Sequence, residues 1–80
     1  MIPTRFSRHA RRRMEQRGIT QTEVESILRQ PDRVEPSVKG RRNAFGSVPG
    51  GVVRVTFRET TQELVVVTVV RLRKAREARS

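Results

Sequence analysis

The chain has 80 residues, 18 of them Lys or Arg and 8 Asp or Glu, for a net charge of +10 at neutral pH. Hydrophobic residues are 34% and charged residues 32%, the balance of one small folded domain rather than a disordered chain. There is no cysteine for a disulfide or thiolate site, one histidine offers no metal-ligand spacing, and no apolar run suits a membrane span or signal peptide, so no metal or cofactor is expected and the cytoplasm is the expected compartment.

Met1 to Phe6 reads as a short lead-in or edge strand, with Pro3 limiting its pairing. Ser7 is a helix N-cap, and a first helix is expected over Arg8 to Arg17. Gly18 closes it in the left-handed conformation and Ile19 covers the end. Residues three and four apart share a helix face. Ala10 and Met14 therefore form an apolar stripe, and His9, Arg13 and Arg17 form a second stripe with Arg12 beside it.

Thr20 and Glu23 make a T-x-x-E capping box for a second helix, with Ile19 and Val24 as its hydrophobic staple. Val24, Ile27 and Leu28 supply its buried stripe, and it must stop before Pro31. A helical hairpin and a DNA-binding helix-turn-helix both fit this pair.

Past Pro31 the signals are those of strands. Asp32 to Pro36 extends briefly, and Val38 to Arg42 is a flexible basic loop. Asn43 to Val48 is a strand, and Pro49-Gly50-Gly51 a tight turn rather than a phosphate loop. In Val52 to Arg58 the alternation is clear, with Val53, Val55 and Phe57 on one face. Thr60 and Thr61 turn the chain into Leu64 to Leu72, apolar on both faces and hence expected to be central.

The expected architecture is α+β: two N-terminal helices on a three- to four-stranded antiparallel sheet, one domain over residues 1–72 followed by a basic tail, 73–80. Two short helices cover only one face. Either Leu64, Val66, Val70 and Leu72, or Val65, Val67 and Val69, would be left less protected. An uncovered apolar face marks a partner site; the alternative is that Arg73 to Ser80 folds back over it.

Charge is concentrated at the two ends. Residues 1–17 carry six arginines against one glutamate, and residues 71–80 five basic residues against one glutamate. The middle, 18–70, has seven basic and six acidic residues. A fold that joins the ends makes one patch, the electrostatic footprint of a nucleic-acid binder. Genome composition explains arginine over lysine but not the excess of positive charge.

The pattern His9-Ala10-x-x-Arg13-Met14-x-x-Arg17-Gly18-Ile19, followed by Pro31-Asp32, resembles a bacterial family of unknown function grouped with RelE/ParE and BrnT types of toxin. The resemblance covers about residues 5–72, with Val67 to Val70 similar to the family's final strand. It implies a RelE-like arrangement of helices on sheet, RNA cleavage as the activity, ribosome-bound RNA as one candidate target, and a small antitoxin as partner, covering the apolar sheet face. Two departures stand out. The matching strand often carries a tyrosine or other polar residue near Val70, and this chain has no tyrosine. Where RelE-type catalysts draw on the sheet and C-terminal end, it offers only Arg54, Arg58, Arg71 and Arg73.

Metal-free RNA cleavage uses the neighbouring 2′-hydroxyl as nucleophile and needs a base, an acid and cations around the phosphorane. His9 is the only side chain whose reference pKa lies near neutrality, which makes it the candidate base. Arg13 and Arg17 would hold the phosphate as a fork and stabilise the transition state. Glu15 and Glu63 are the guesses for the second proton carrier. Arg12, Arg42, Arg54 and Arg71 are expected to contact the nucleic-acid backbone. Each stripe residue also has a structural reading: His9 as a solvated first-turn residue, and Arg13 and Arg17 paired with Glu23, Glu25 or helix-end carbonyls. Two functions follow from this: a toxin-like, metal-independent endoribonuclease, or a non-catalytic nucleic-acid-binding or protein-interaction module on the same fold.

Overall fold

A computed structural model describes residues 2–72, and the basic tail, 73–80, lies outside the described residues. The element order is β1 (Thr4–Phe6), α1 (Arg8–Arg17), α2 (Gln21–Arg29), β2 (Arg33–Pro36), a single 3-10 turn (Val38–Gly40), β3 (Arg42–Val48), β4 (Gly51–Glu59) and β5 (Leu64–Arg71). The fold is α+β as expected, with both helices where the capping signals put them.

The sheet differs from expectation in two ways. It has five strands, in the order β1-β5-β4-β3-β2, and it is mixed rather than antiparallel, because β1 runs parallel to β5. The lead-in joins the sheet through Thr4↔Leu64 and Phe6↔Val66, and the Pro3 carbonyl accepts from the Leu64 N–H at 2.9 Å. β5 is an interior strand as expected, paired with β4 on one edge and β1 on the other, and α1 packs against it; the middle position of the five is β4. The Val38–Arg42 loop shortens to one 3-10 turn with Lys39 at φ +59°, and Arg42 already belongs to β3.

Local chemistry fixes the helices. The Ser7 hydroxyl accepts from the Ala10 N–H at 3.0 Å and donates to the Val67 carbonyl at 2.9 Å, so one side chain caps α1 and ties it to β5. At the far end Gly18 takes φ +66°, and the Ile19 N–H reaches the Met14 carbonyl at 2.9 Å, closing a Schellman turn. The capping box of α2 forms as read, with Glu23 N–H to Thr20 Oγ1 at 3.1 Å and Thr20 N–H to Glu23 Oε1 at 3.0 Å. Pro49 and Gly50, the latter at φ +98°, turn β3 into β4 with the residue types a type II turn requires.

Both helices lie on one face of the sheet. Ala10, Met14, Val24 and Ile27 meet Ala44, Val53, Val55, Phe57, Val66 and Val69 in a single core. Gly46 admits α2: a Cβ there would stand 2.7 Å from Ile27 Cγ1. A bulge between Thr56 and Phe57 changes which β5 residues face the helices. Phe57 pairs with Val66 but Thr56 with Thr68, so Val67 is the extra residue. The helix side therefore takes Leu64, Val66, Val69 and Arg71, and the opposite side Val65, Thr68 and Val70. Neither of the two sets expected from strict alternation is correct, because the bulge interrupts the period of two.

Candidate nucleic-acid interface

α1 runs along β5 from the Val66 carbonyl, which accepts from the Ser7 N–H at 3.0 Å, to the level of Arg71. With Ala10 and Met14 turned to the core, every other α1 side chain is exposed except the half-buried Arg13. His9, Arg13 and Arg17 form one ridge of about 12 Å at 1.5 Å per residue. Arg11 leans over the Phe6 ring at 5.8 Å on a different flank.

What distinguishes α1 is that none of its basic side chains has an ion-pair partner among the described residues. Among the described residues the ion pairs are Arg5–Glu63 (3.0 Å), Arg33–Glu35 (2.9 Å) and Arg42–Glu59 (3.9 Å). Glu23 closes the capping box and Glu25 accepts from Gln21 at 3.2 Å. The Ser47 hydroxyl donates to Asp32 at 3.5 Å. Of the described carboxylates only Glu15 is left to face five arginines and a histidine on the same helix. The structural reading of Arg13 and Arg17 as partners of Glu23 or Glu25 thus finds no ion pair among the described residues.

The remaining predicted contacts do not form one surface. Arg12 is exposed on α1. Arg71 lies on the helix side of β5 and its Nη2 donates to the Arg17 carbonyl at 3.0 Å, a side-chain cap on the last turn of α1. This bond brings the start of the C-terminal basic segment to the end of the N-terminal one. Arg42 sits at the opposite end of the strands, beside Phe57 where Arg71 is beside Val53, and its partner is Glu59. Four residues of strand separate those levels by about 13 Å. Arg54 points to the helix-free face.

Among the described residues no second proton carrier stands with His9. Glu63 is bound to Arg5 at the start of β5, and that hydrogen bond and charge hold its carboxyl below the usual glutamate range, which makes it a poor proton donor. Glu15, six positions beyond His9, lies off its ridge. Among the described residues no group of three His, Cys, Asp or Glu could hold a metal ion, and no helix is long and apolar enough to cross a membrane. α2 is spent on packing against β3 and β4. Its polar face carries Glu23 and Glu25 against Arg29, a balance unsuited to a DNA groove.

Sequence reasoning missed three residues that organise this site: Ser7 as a bridge to β5, Arg71 as a cap, and Gly46 as the seat of α2. Of these only Gly46 had a signal, as a glycine inside a strand pattern.

The chain belongs to the family described as a domain of unknown function, DUF4258, whose profile matches residues 6–71. No curated protein and no solved structure matches it.

Proposed function

We propose that this domain binds RNA by gripping the phosphate backbone along α1, with Arg12, Arg13 and Arg17 as the principal contacts. The observation that carries the reading is the uncompensated charge of that helix. Its five arginines are held on a rigid, core-anchored element while nearly every described carboxylate is engaged elsewhere. Solvated cations without internal partners release counterions when a polyanion binds. The choice of RNA over DNA is supported by the resemblance of the His9-to-Ile19 signature to the RelE/ParE and BrnT types of toxin.

A second reading, a toxin-like endoribonuclease, is favoured by the position of His9, exposed one turn before Arg13 on the same ridge. In that reaction His9 removes the 2′-hydroxyl proton and the 2′ oxygen attacks phosphorus. The bond to the 5′ oxygen then breaks, leaving a 2′,3′-cyclic phosphate and a 5′-hydroxyl that takes its proton from water. Arg13 and Arg17 balance the phosphorane charge. Binding is the better-supported function because the described residues bring no second proton carrier beside His9.

One experiment separates them. Wild type, His9→Ala and Arg13→Ala/Arg17→Ala are titrated with a labelled RNA at several salt concentrations, and the RNA is then examined for fragments. Binding predicts a salt slope that is shallower by about 0.7 for each phosphate the arginine variant no longer neutralises, and that stays unchanged in His9→Ala. Cleavage predicts cyclic-phosphate ends that His9→Ala abolishes. RNA affinity that is weak and indifferent to the two arginines would refute both.

A further inference from the structure

The sheet has two edge strands, β1 and β2, and they differ in what they leave open. The Ser37 N–H donates to the Arg41 carbonyl at 2.9 Å and continues the β2–β3 register, so Arg33, Glu35 and Ser37 bond inward while Val34 and Pro36 face outward. Pro36 has no N–H to offer there, and the Asp32 N–H already meets the Phe45 carbonyl at 2.8 Å, which blunts that edge. At β1 the proline is on the other side. The Pro3 carbonyl accepts from Leu64 and the Ser7 N–H donates to Val66, so Pro3, Arg5 and Ser7 face β5. Ile2, Thr4 and Phe6 turn their amides and carbonyls outward, where no described residue meets them.

Beside this open edge the helix side of the sheet is incompletely covered. A cavity of about 580 Å³ lies between Ile2 and Thr4, Leu64 at the start of β5, and Glu25, Leu28 and Arg29 of α2. Its apolar wall includes Ile2, which is 38% exposed. The charges nearby balance: Arg5 is paired with Glu63, and Glu25 and Arg29 stand one helical turn apart. An unblunted edge next to an uncovered apolar corner is a template for pairing with another chain.

We infer that β1 is a self-association edge, on which two copies of the chain pair antiparallel about a two-fold axis at Thr4. Thr4 then faces itself and Ile2 faces Phe6 of the second copy, an arrangement that offers about six main-chain hydrogen bonds and uses every outward group. Pro3 is no obstacle, because its missing N–H is on the β5 side. Arg11, which leans over the Phe6 ring at 5.8 Å, arrives beside Ile2 of the other copy, on the cavity that Glu25 lines. A second copy is the fitting occupant because it brings donors and acceptors in matching order and a guanidinium to Glu25. α1 begins beyond Phe6 and runs toward the level of Arg71, so antiparallel pairing sends the two basic helices away from the axis in opposite directions. The net charge of +10 therefore does not face itself across the contact. The inference is independent of the RNA reading, since His9, Arg13 and Arg17 lie on another flank of α1 from Arg11.

The test uses the full-length protein without RNA. Sedimentation equilibrium is expected to show a reversible monomer–dimer equilibrium, and the Thr4 and Phe6 amides should exchange more slowly as concentration rises. Thr4→Pro deletes an outward N–H from each copy and no bond to β5, and should weaken the dimer roughly tenfold or more. The Leu64 amide, still bonded to Pro3, reports that the strand remains in place. Thr4→Cys adds a single thiol to a chain without cysteine. Self-facing residues of a bonded antiparallel pair stand about 5.5 Å apart at Cα, within disulfide reach, so this variant should cross-link under mild oxidant. Val34→Cys, on the blunted edge, should not. A protein that stays monomeric to about 1 mM overturns the inference, as does a dimer indifferent to Thr4→Pro, or one that Val34→Cys captures and Thr4→Cys does not. Thr4 and Phe6 amides protected in the monomer would assign the edge to another segment of the chain and overturn it too. If Thr4→Pro does not fold, the two cysteine variants decide between the edges alone.

Discussion

The close approach of α2 to Gly46 gives a prediction whose sign depends on one neighbour. Gly46 lies on the helix side of β3, paired with Val53, and a Cβ at that position would meet Ile27 Cγ1 at 2.7 Å, Cγ2 at 3.1 Å and Cβ at 3.3 Å. Its backbone is not in the left-handed region, so the obstacle is contact and not conformation. In an open strand, Gly→Ala would stabilise by about 0.5–1 kcal/mol through lost unfolded-state entropy. Forcing a methyl against a buried, β-branched side chain costs about 1–3 kcal/mol. The net expectation for Gly46→Ala is a loss of about 0.5–2 kcal/mol, or several degrees in Tm for a domain of this size.

Ile27→Ala removes both offending γ carbons. In that background Gly46→Ala should become neutral to stabilising, and the coupling between the two sites should be about 1–3 kcal/mol. Ile27→Ala itself costs about 2–5 kcal/mol, out of about 4–12 kcal/mol for an 80-residue domain. The four proteins are therefore compared by urea unfolding at one fixed sucrose concentration, which keeps the weakest of them folded. Stabilisation by Gly46→Ala in the wild type, or additive effects, would refute the packing of α2 on β3.

Ser7→Ala removes the cap of α1 and the donor to the Val67 carbonyl at one stroke, and should cost about 1–2 kcal/mol in urea unfolding. Arg71→Met keeps the aliphatic stem but not the bond to the Arg17 carbonyl; amide exchange in the last turn of α1 should quicken while the salt slope for RNA stays that of wild type. Glu63 titrates lower when folded than when unfolded, so the stability it contributes is fully present above its unfolded pKa and is lost as pH falls through the folded value. Below about pH 4 the β1 amides should lose protection in wild type, and Glu63→Gln should remove that pH dependence.

What was legible in the sequence is what neighbouring residues decide. Ser7, Gly18 and the Thr20/Glu23 box each act within four or five positions, and both helices lie where these caps put them. Pairing between β1 and β5 joins residues about 60 apart, and a three-residue strand has too little periodicity to announce its partner. The bulge at Val67 was hidden by its own composition, since a run of valines reads alike in either register. The arginines were hardest to sort. As sequence they are equivalent, yet among the described residues Arg71 caps a helix, Arg42 pairs with Glu59, Arg54 buries an unmet donor and Arg13 stays on the α1 ridge without an ion-pair partner. Which of these an arginine does depends on the strand face it occupies and on where the carboxylates fold, and neither is local information.

The separation of the two surfaces constrains any regulation of the domain. A second copy paired along β1 approaches from the edge of the sheet and leaves the His9, Arg13 and Arg17 ridge uncovered, so it cannot act on α1 by occupying it. Its influence would have to pass through the step from β1 to α1, where Phe6 ends the strand and Ser7 caps the helix. At the bulge the hydrogen-bonded link is Ser7, whose hydroxyl holds the Val67 carbonyl while its backbone N–H holds that of Val66; Arg71 makes a second link at the far end of α1. A copy that drew β1 away from β5 would release the Val67 bond and unseat the first turn of α1, where His9 lies. A copy that pressed β1 against β5 would hold the ridge in place. Ser7→Ala should therefore uncouple self-association along β1 from RNA binding on the helix, and unchanged coupling in that variant would rule out this route.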